Sequence, residues 1–139
     1  MRDYGADSVS VTEVAVATNG DVVKARQMVR TLAQSSGLSL VHQTKLVTAA
    51  SELGRNMLVH GGGGTVRASA VVEGPRKGVW VEFADHGPGI EDIGLALTDG
   101  WTSGNGMGLG LSGAQRLVDE FDLDTGSSGT TVRIVKWGR

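Results

Sequence analysis

Two polar residues one helical turn apart, Glu52 and Asn56, sit inside the apolar-periodic stretch ASELGRNMLVHG. A carboxylate and an amide at i and i+4 share one helix face. Together they can do phosphate chemistry. An Asn side chain offers Mg²⁺ a neutral oxygen, and that ion keeps several waters and takes few protein ligands. A carboxylate one turn away can accept the proton of an attacking hydroxyl or water. The same pair also suits a plain solvated helix face, because Glu is a strong helix former. Asn is a poor choice in mid-helix, which tilts the reading toward chemistry.

Downstream, Asp85-His86-Gly87-Pro88-Gly89 follows the strand-like run Val79 to Ala84. Asp, Gly and Pro are ordinary turn formers. A carboxylate at a strand end can also receive the exocyclic amine of adenine, and Gly87 and Gly89 let backbone approach the base and ribose closely. Next comes Gly106-Met107-Gly108-Leu109-Gly110. Gly108 to Gly113 matches G-x-G-x-x-G, but a dinucleotide-binding motif follows a strand directly and opens a βαβ unit. Here it follows a glycine-rich loop. What survives is the shared physics of exposed N–H groups and a helix N-terminus at Ser112 facing phosphate. No G-x-x-x-x-G-K-[ST] sequence is present, which excludes a P-loop protein. A hydroxyl of Thr130 or Thr131 could bond adenine directly or through water. His42, His60 and His86 lack zinc-site spacing. His60 lies four residues after Asn56 on the same face and reads as a helix-end residue. Trp101 suits a partner contact or a lid over a nucleotide.

These residues need elements to hold them. Val9 to Val16 alternates as an edge strand. Asp21 to Ser36 is expected to be a helix with the stripe Val22, Ala25, Val29, Leu32 and Ala33, stopped by Gly37. Ser39 caps a second helix running to His60, with Leu46, Ala49, Ala50, Leu53, Met57 and Leu58 as its core stripe. Thr65 to Glu73 and Val79 to Asp85 form a hairpin around the turn 74–78. Ile90 to Asp99 suggests a short helix and Gly100 to Gly106 a flexible loop. Ser112 to Glu120 reads as a helix, and Thr130 to Lys136 as the final strand. Helices segregated from an antiparallel-rich sheet imply an α+β fold. It would be a two-layer sandwich with a mixed, mostly antiparallel sheet and helices on one face.

The 139 residues fit one domain spanning 1–139, and 40% apolar content suffices for one core. A net charge of −2 gives no basic field for nucleic acid. The chain has no cysteine, which excludes disulfides and thiolate metal sites. No apolar run reaches membrane-span length and the N-terminus lacks a signal-peptide core, so a cytoplasmic protein is expected.

The ordered series Glu52-x-x-x-Asn56, Asp85-x-Gly87-x-Gly89, Gly106-x-Gly108-x-Gly110 and Gly129-Thr130 resembles the boxes of the GHKL (Bergerat-fold) ATPase/kinase superfamily, which includes gyrase B, Hsp90, histidine kinases and MutL. It covers roughly residues 9–137. Within that superfamily the chain looks most like the RsbT-type switch kinases of bacterial stressosome modules, through Glu52 to Asn56, Asp99 to Ser103 and Gly113 to Phe121. The resemblance implies ATP/ADP and Mg²⁺ as cofactors. Asn56 would be the metal ligand and Glu52 the catalytic base. Asp85 would receive the adenine amine, with Gly87 and Gly89 at the base. Gly106, Gly108 and Gly110, with Leu111, would form the lid hinge and phosphate cradle, and Thr130 would assist at adenine, Thr131 being the alternative. Many histidine kinases carry a Lys three residues after the Asn. Val59 stands there in this chain, so the phosphate cation falls to Arg55, Arg116 or a partner. A dimerisation helix pair with a phospho-accepting His is missing, so a complete histidine kinase is not expected.

The resemblance implies a serine/threonine protein kinase acting on a STAS-domain antagonist and then switching on a partner such as a PP2C-type phosphatase. Two other readings stay open. One is an anti-sigma factor that sequesters a sigma factor. The other is a nucleotide-gated binding switch with little catalysis, to which the missing Lys lends weight. A homodimer is compatible with all three.

Overall fold

A computed structural model describes residue 4, residues 10–89 and residues 111–138. The elements run β1 (Thr12–Val16), α1 (Asn19–Ser35), α2 (Leu40–Gly61), β2 (Gly64–Glu73), β3 (Arg76–Asp85), α3 (Leu111–Leu117), β4 (Glu120–Gly126) and β5 (Gly129–Trp137). The five strands form one sheet in the order β1-β2-β3-β5-β4. Each pairing is antiparallel, so the sheet is not mixed among the described residues. β1 is an edge strand, as its short alternating sequence predicts. The expected helix over 90–99 and the loop over 100–106 lie outside the described residues, as do Gly106, Gly108 and Gly110.

The helix starts follow from side-chain chemistry. Thr18 caps α1: its hydroxyl accepts from Asp21 N–H at 3.2 Å. The Asp21 carboxylate reaches back to the N–H groups of Ala17, at 2.9 Å, and Thr18, at 3.1 Å, closing a capping box. The Ala17 N–H, more than any other group, holds the Asp21 carboxyl below its ordinary value of 3.8. A lowered carboxyl stabilises the folded state above that value and loses the contribution as pH falls through the folded pKa. Thr18→Ala is expected to destabilise the protein by ~1 kcal/mol, read as a lower urea midpoint with unchanged slope. Ser39 caps α2 as expected, accepting from His42 N–H at 3.2 Å. Gly62, left-handed at φ 75°, ends it.

α1 and α2 pack on one face of the sheet. Leu46, Ala49, Ala50, Leu53 and Met57 of α2 meet Val66 and Ala68 of β2, Val79, Val81 and Phe83 of β3, and Val132 and Ile134 of β5 in one buried cluster. Each fully buried branched or aromatic side chain there contributes about 1.5–3 kcal/mol. The other sheet face carries a second cluster of Tyr4, Val71, Trp80, Val135 and Trp137. Beyond it, charges cover the sheet. The buried Glu82 pairs through one oxygen with Arg67 at 3.0 Å and through the other with Arg133 at 2.9 Å. That second cluster was not anticipated from the sequence.

The C-terminal third corrects the expected helix over 112–120. α3 ends at Leu117, and the chain enters β4 at Glu120. In Glu120-Phe121-Asp122-Leu123, Phe121 and Leu123 pack against the helix-side core, while Asp122 faces Arg133 on the other side. The period of two was present in the sequence but was absorbed into the neighbouring helix pattern. Among the described residues no helix is long and apolar enough to cross a membrane.

Candidate nucleotide-binding site

The buried stripe of α2 fixes how that helix rolls on the sheet. With Leu53 and Met57 turned into the core, Asn56 sits beside them and looks into the gap at the sheet's end. His60 follows one turn later. The far wall comes from β3, which ends at Asp85, and from the start of β5. The resulting pocket is lined by Leu53, Asn56, Met57, His60 and Gly61 of α2, Phe83 and Asp85 of β3, Gly89, Leu111 of α3, and Thr130 and Val132 of β5. Residues far apart in sequence therefore meet because the β2–β3 hairpin brings the strand end back beside the end of α2.

Asp85 is held rather than free. Its Oδ1 accepts from Gly87 N–H at 2.9 Å and from Thr130 N–H at 3.1 Å. A Cβ on Gly61 would sit inside contact distance of Asp85 Oδ2, so only glycine lets the helix end back against the carboxylate. Gly89 adopts φ 84°, and a Cβ there would collide with the Gly126 carbonyl. Thr130 and Thr131 are separated by strand alternation: Thr130 lines the pocket, and its Oγ1 lies 2.7 Å from Thr125 Oγ1. Gly61→Ala is expected to displace the Asp85 carboxylate and weaken ATP binding roughly tenfold, about the worth of one charge-assisted hydrogen bond. Fluorescent-nucleotide titration against an unchanged circular dichroism spectrum checks it.

Asn56 has an amide nitrogen that is buried and, among the described residues, without a hydrogen-bond partner. Leaving such a group unpaired costs about 1–3 kcal/mol, which a polar occupant of the pocket would recover. Because the amide can be turned about its terminal bond, the same position can present oxygen. Among the described residues there is no cluster of three or more His, Asp or Glu side chains of the sort that cages a metal. One amide oxygen at a pocket wall suits a hard cation that brings its own waters and phosphate ligands.

Glu52 stands apart from the lining. It is half-buried on α2, one turn before Asn56, and no side chain among the described residues pairs with it. His60 is the residue that the spacing undervalued. It is part of the pocket wall, and burial pulls its imidazole pKa below the ordinary 6.5, favouring the neutral ring. Its place four residues after Asn56 was the available signal.

An amide-bearing helix, a strand-end Asp locked by a glycine turn and a Thr from the adjacent strand define a histidine kinase-like ATPase domain. The family model of that description matches residues 15–136, and the chain belongs to this family. It is 39% identical over 127 residues to the serine/threonine-protein kinase RsbT of Bacillus subtilis (strain 168), covering 91% of this chain and 96% of that protein, which places it with the RsbT-type kinases. The fold is also found within a structure of the RsbU and RsbW domains of a Mycobacterium tuberculosis protein, at a TM-score of 0.67 and 22% identity, with 94% of this chain covered. The chain spans only 33% of that longer one. The catalytic domain of histidine kinase ThkA superposes with a TM-score of 0.52 at 14% identity, over 92% of this chain and 95% of that one.

Proposed function

We propose that this chain is an ATP-dependent serine/threonine protein kinase of a bacterial partner-switching module, acting in the cytoplasm as the single domain 1–139. Its acceptor is a serine or threonine on a STAS-domain antagonist. Release from the phosphorylated antagonist frees the kinase to switch on a partner such as a PP2C-type phosphatase. The observation that carries the reading is the half-buried Glu52 carboxylate, one turn from Asn56, outside the pocket lining and without a partner among the described residues. A base for an incoming protein hydroxyl belongs there, where the acceptor can reach it.

In this reading each residue takes the role that the family resemblance implies. Asp85, oriented by two backbone N–H groups, receives the adenine amine beside Gly89 and Thr130. Gly106, Gly108 and Gly110 with Leu111 cradle the phosphates. Asn56 would hold Mg²⁺, which would offset the charge of the phosphate oxygens. Glu52 takes the proton from the acceptor Oγ as that oxygen bonds to the γ-phosphorus and the bond to the ADP oxygen breaks. The proton then leaves Glu52 for solvent. Little covalent chemistry falls to the protein, so positioning and charge stabilisation carry the rate.

The test is radiolabelled ATP with purified STAS-domain proteins, with and without Mg²⁺. Label on a serine or threonine that depends on Mg²⁺ is expected. No transfer to any STAS protein, with tight binding to a sigma factor instead, would reverse the reading in favour of an anti-sigma factor. A nucleotide-gated switch is favoured by one feature: among the described pocket residues none is a Lys or Arg. Partner affinity that responds equally to ATP and to a non-hydrolysable analogue would select it.

A further inference from the structure

The exposed side of α2 carries a stripe that the nucleotide pocket does not use. Val41, Lys45, Thr48, Glu52, Arg55 and Val59 fall at i, i+4, i+7, i+11, i+14 and i+18, one continuous ridge along the helix. All are exposed except Glu52, which is half-buried. Two features of the ridge are not used in packing within the chain. Val41 is 61% and Val59 43% exposed, although β-branched apolar residues are weak helix formers and gain nothing in water. Lys45 and Arg55 have no hydrogen-bond or ion-pair partner among the described residues. Arg55 is three residues from Glu52, a spacing at which opposite charges commonly pair on a helix, yet the two stay apart.

We propose that this ridge is the docking surface for the phosphate-accepting protein, and that the partner surface it fits presents acidic side chains flanking the acceptor hydroxyl, with an apolar contact at each end. The proposal rests on the kinase reading above. If Glu52 is to take a proton from a protein hydroxyl, the acceptor must lie over the residues one turn either side of it. Those residues are Thr48, Arg55 and Asn56. The unpaired cations then select acid on the incoming surface, with Lys45 about two turns before the base and Arg55 one turn after it. Electrostatic complementarity at such a rim governs encounter and register. Val41 and Val59 supply the apolar area that charges alone do not.

The experiment uses the full chain and a STAS-domain protein that it phosphorylates. Lys45→Glu and Arg55→Glu are each expected to raise the KM for the acceptor about tenfold by turning attraction into repulsion. The kcat of Lys45→Glu at saturating acceptor and its affinity for fluorescent ATP should match wild type. Arg30→Glu, a reversal of equal size on exposed α1, is expected to leave KM unchanged. An acceptor variant with a flanking acid changed to Lys should restore the KM of Arg55→Glu. Wild-type KM in both ridge variants, or an equal rise in Arg30→Glu, overturns the surface while leaving the kinase standing. A wild-type chain that transfers no phosphate, yet binds the STAS protein with the same Lys45 and Arg55 dependence by calorimetry, overturns the kinase reading and supports the surface.

Discussion

Glu52→Gln is expected to lower phosphotransfer to the acceptor protein by about 10²–10⁴-fold, the range for removing a positioned general base. ATP affinity should stay within about twofold of wild type, because Glu52 is not among the residues lining the nucleotide pocket and an uncharged isostere perturbs packing little. The substitution is clean for a structural reason. Glu52 pairs with no side chain among the described residues, so neutralising it orphans no partner. Single-turnover transfer with saturating ATP and acceptor isolates the chemical step from binding. Wild-type transfer in this variant would remove Glu52 from the reaction and point to a base supplied by the acceptor.

The second large effect is at Asp85. Under the proposed role of Asp85 at the adenine amine, Asp85→Asn is expected to weaken ATP binding by on the order of 10²–10³-fold, because the amide would present a donor where an acceptor is needed and a charge-assisted bond would be lost. The fold should survive. The Asn oxygen can still accept from Gly87 N–H and Thr130 N–H, which anchor Oδ1 at 2.9 Å and 3.1 Å in the native protein. Asp85→Ala removes those contacts as well and should lower thermal stability in addition. The contrast between the two variants separates recognition from architecture. Calorimetric titration with ATP and with GTP checks both. An Asp85→Asn protein that binds ATP as wild type would place the adenine elsewhere.

The parts legible from sequence were those set by local chemistry. Ser39 capped α2 where a Ser precedes an apolar-periodic run, and the hairpin turned at Gly74-Pro75. The stripe from Leu46 to Met57 was buried as its spacing required. Asn56 and Asp85, chosen for residue type and position, lie on opposite walls of one pocket. Three features were less legible, each because the deciding contact is long-range. β4 was hidden behind a helix-compatible run, and its pairing with β5 selected the extended form. His60 is the helix-end residue its position suggested, and it joins the pocket wall only because β3 and β5 close the side facing it. The second cluster needed Tyr4 to meet Trp137, with ring centroids 6.0 Å apart, at the opposite end of the chain.

Glu52 and Asn56 therefore stand in two different relations to the fold. Their residue types and four-residue spacing, with Asp85 and the glycine boxes, carried the resemblance to ATP-binding kinases. Periodicity alone put both on one face of α2, because an α-helix repeats every 3.6 residues whatever surrounds it. Only the tertiary structure divided their surroundings. Packing of Leu53 and Met57 on the sheet rolls α2 so that Asn56 enters the pocket with a buried amide unpaired among the described residues, while Glu52 stays half-buried outside the lining on the ridge with Arg55. A helix's own geometry fixes which residues are neighbours. What each neighbour faces is decided by the elements that bury the rest of the helix.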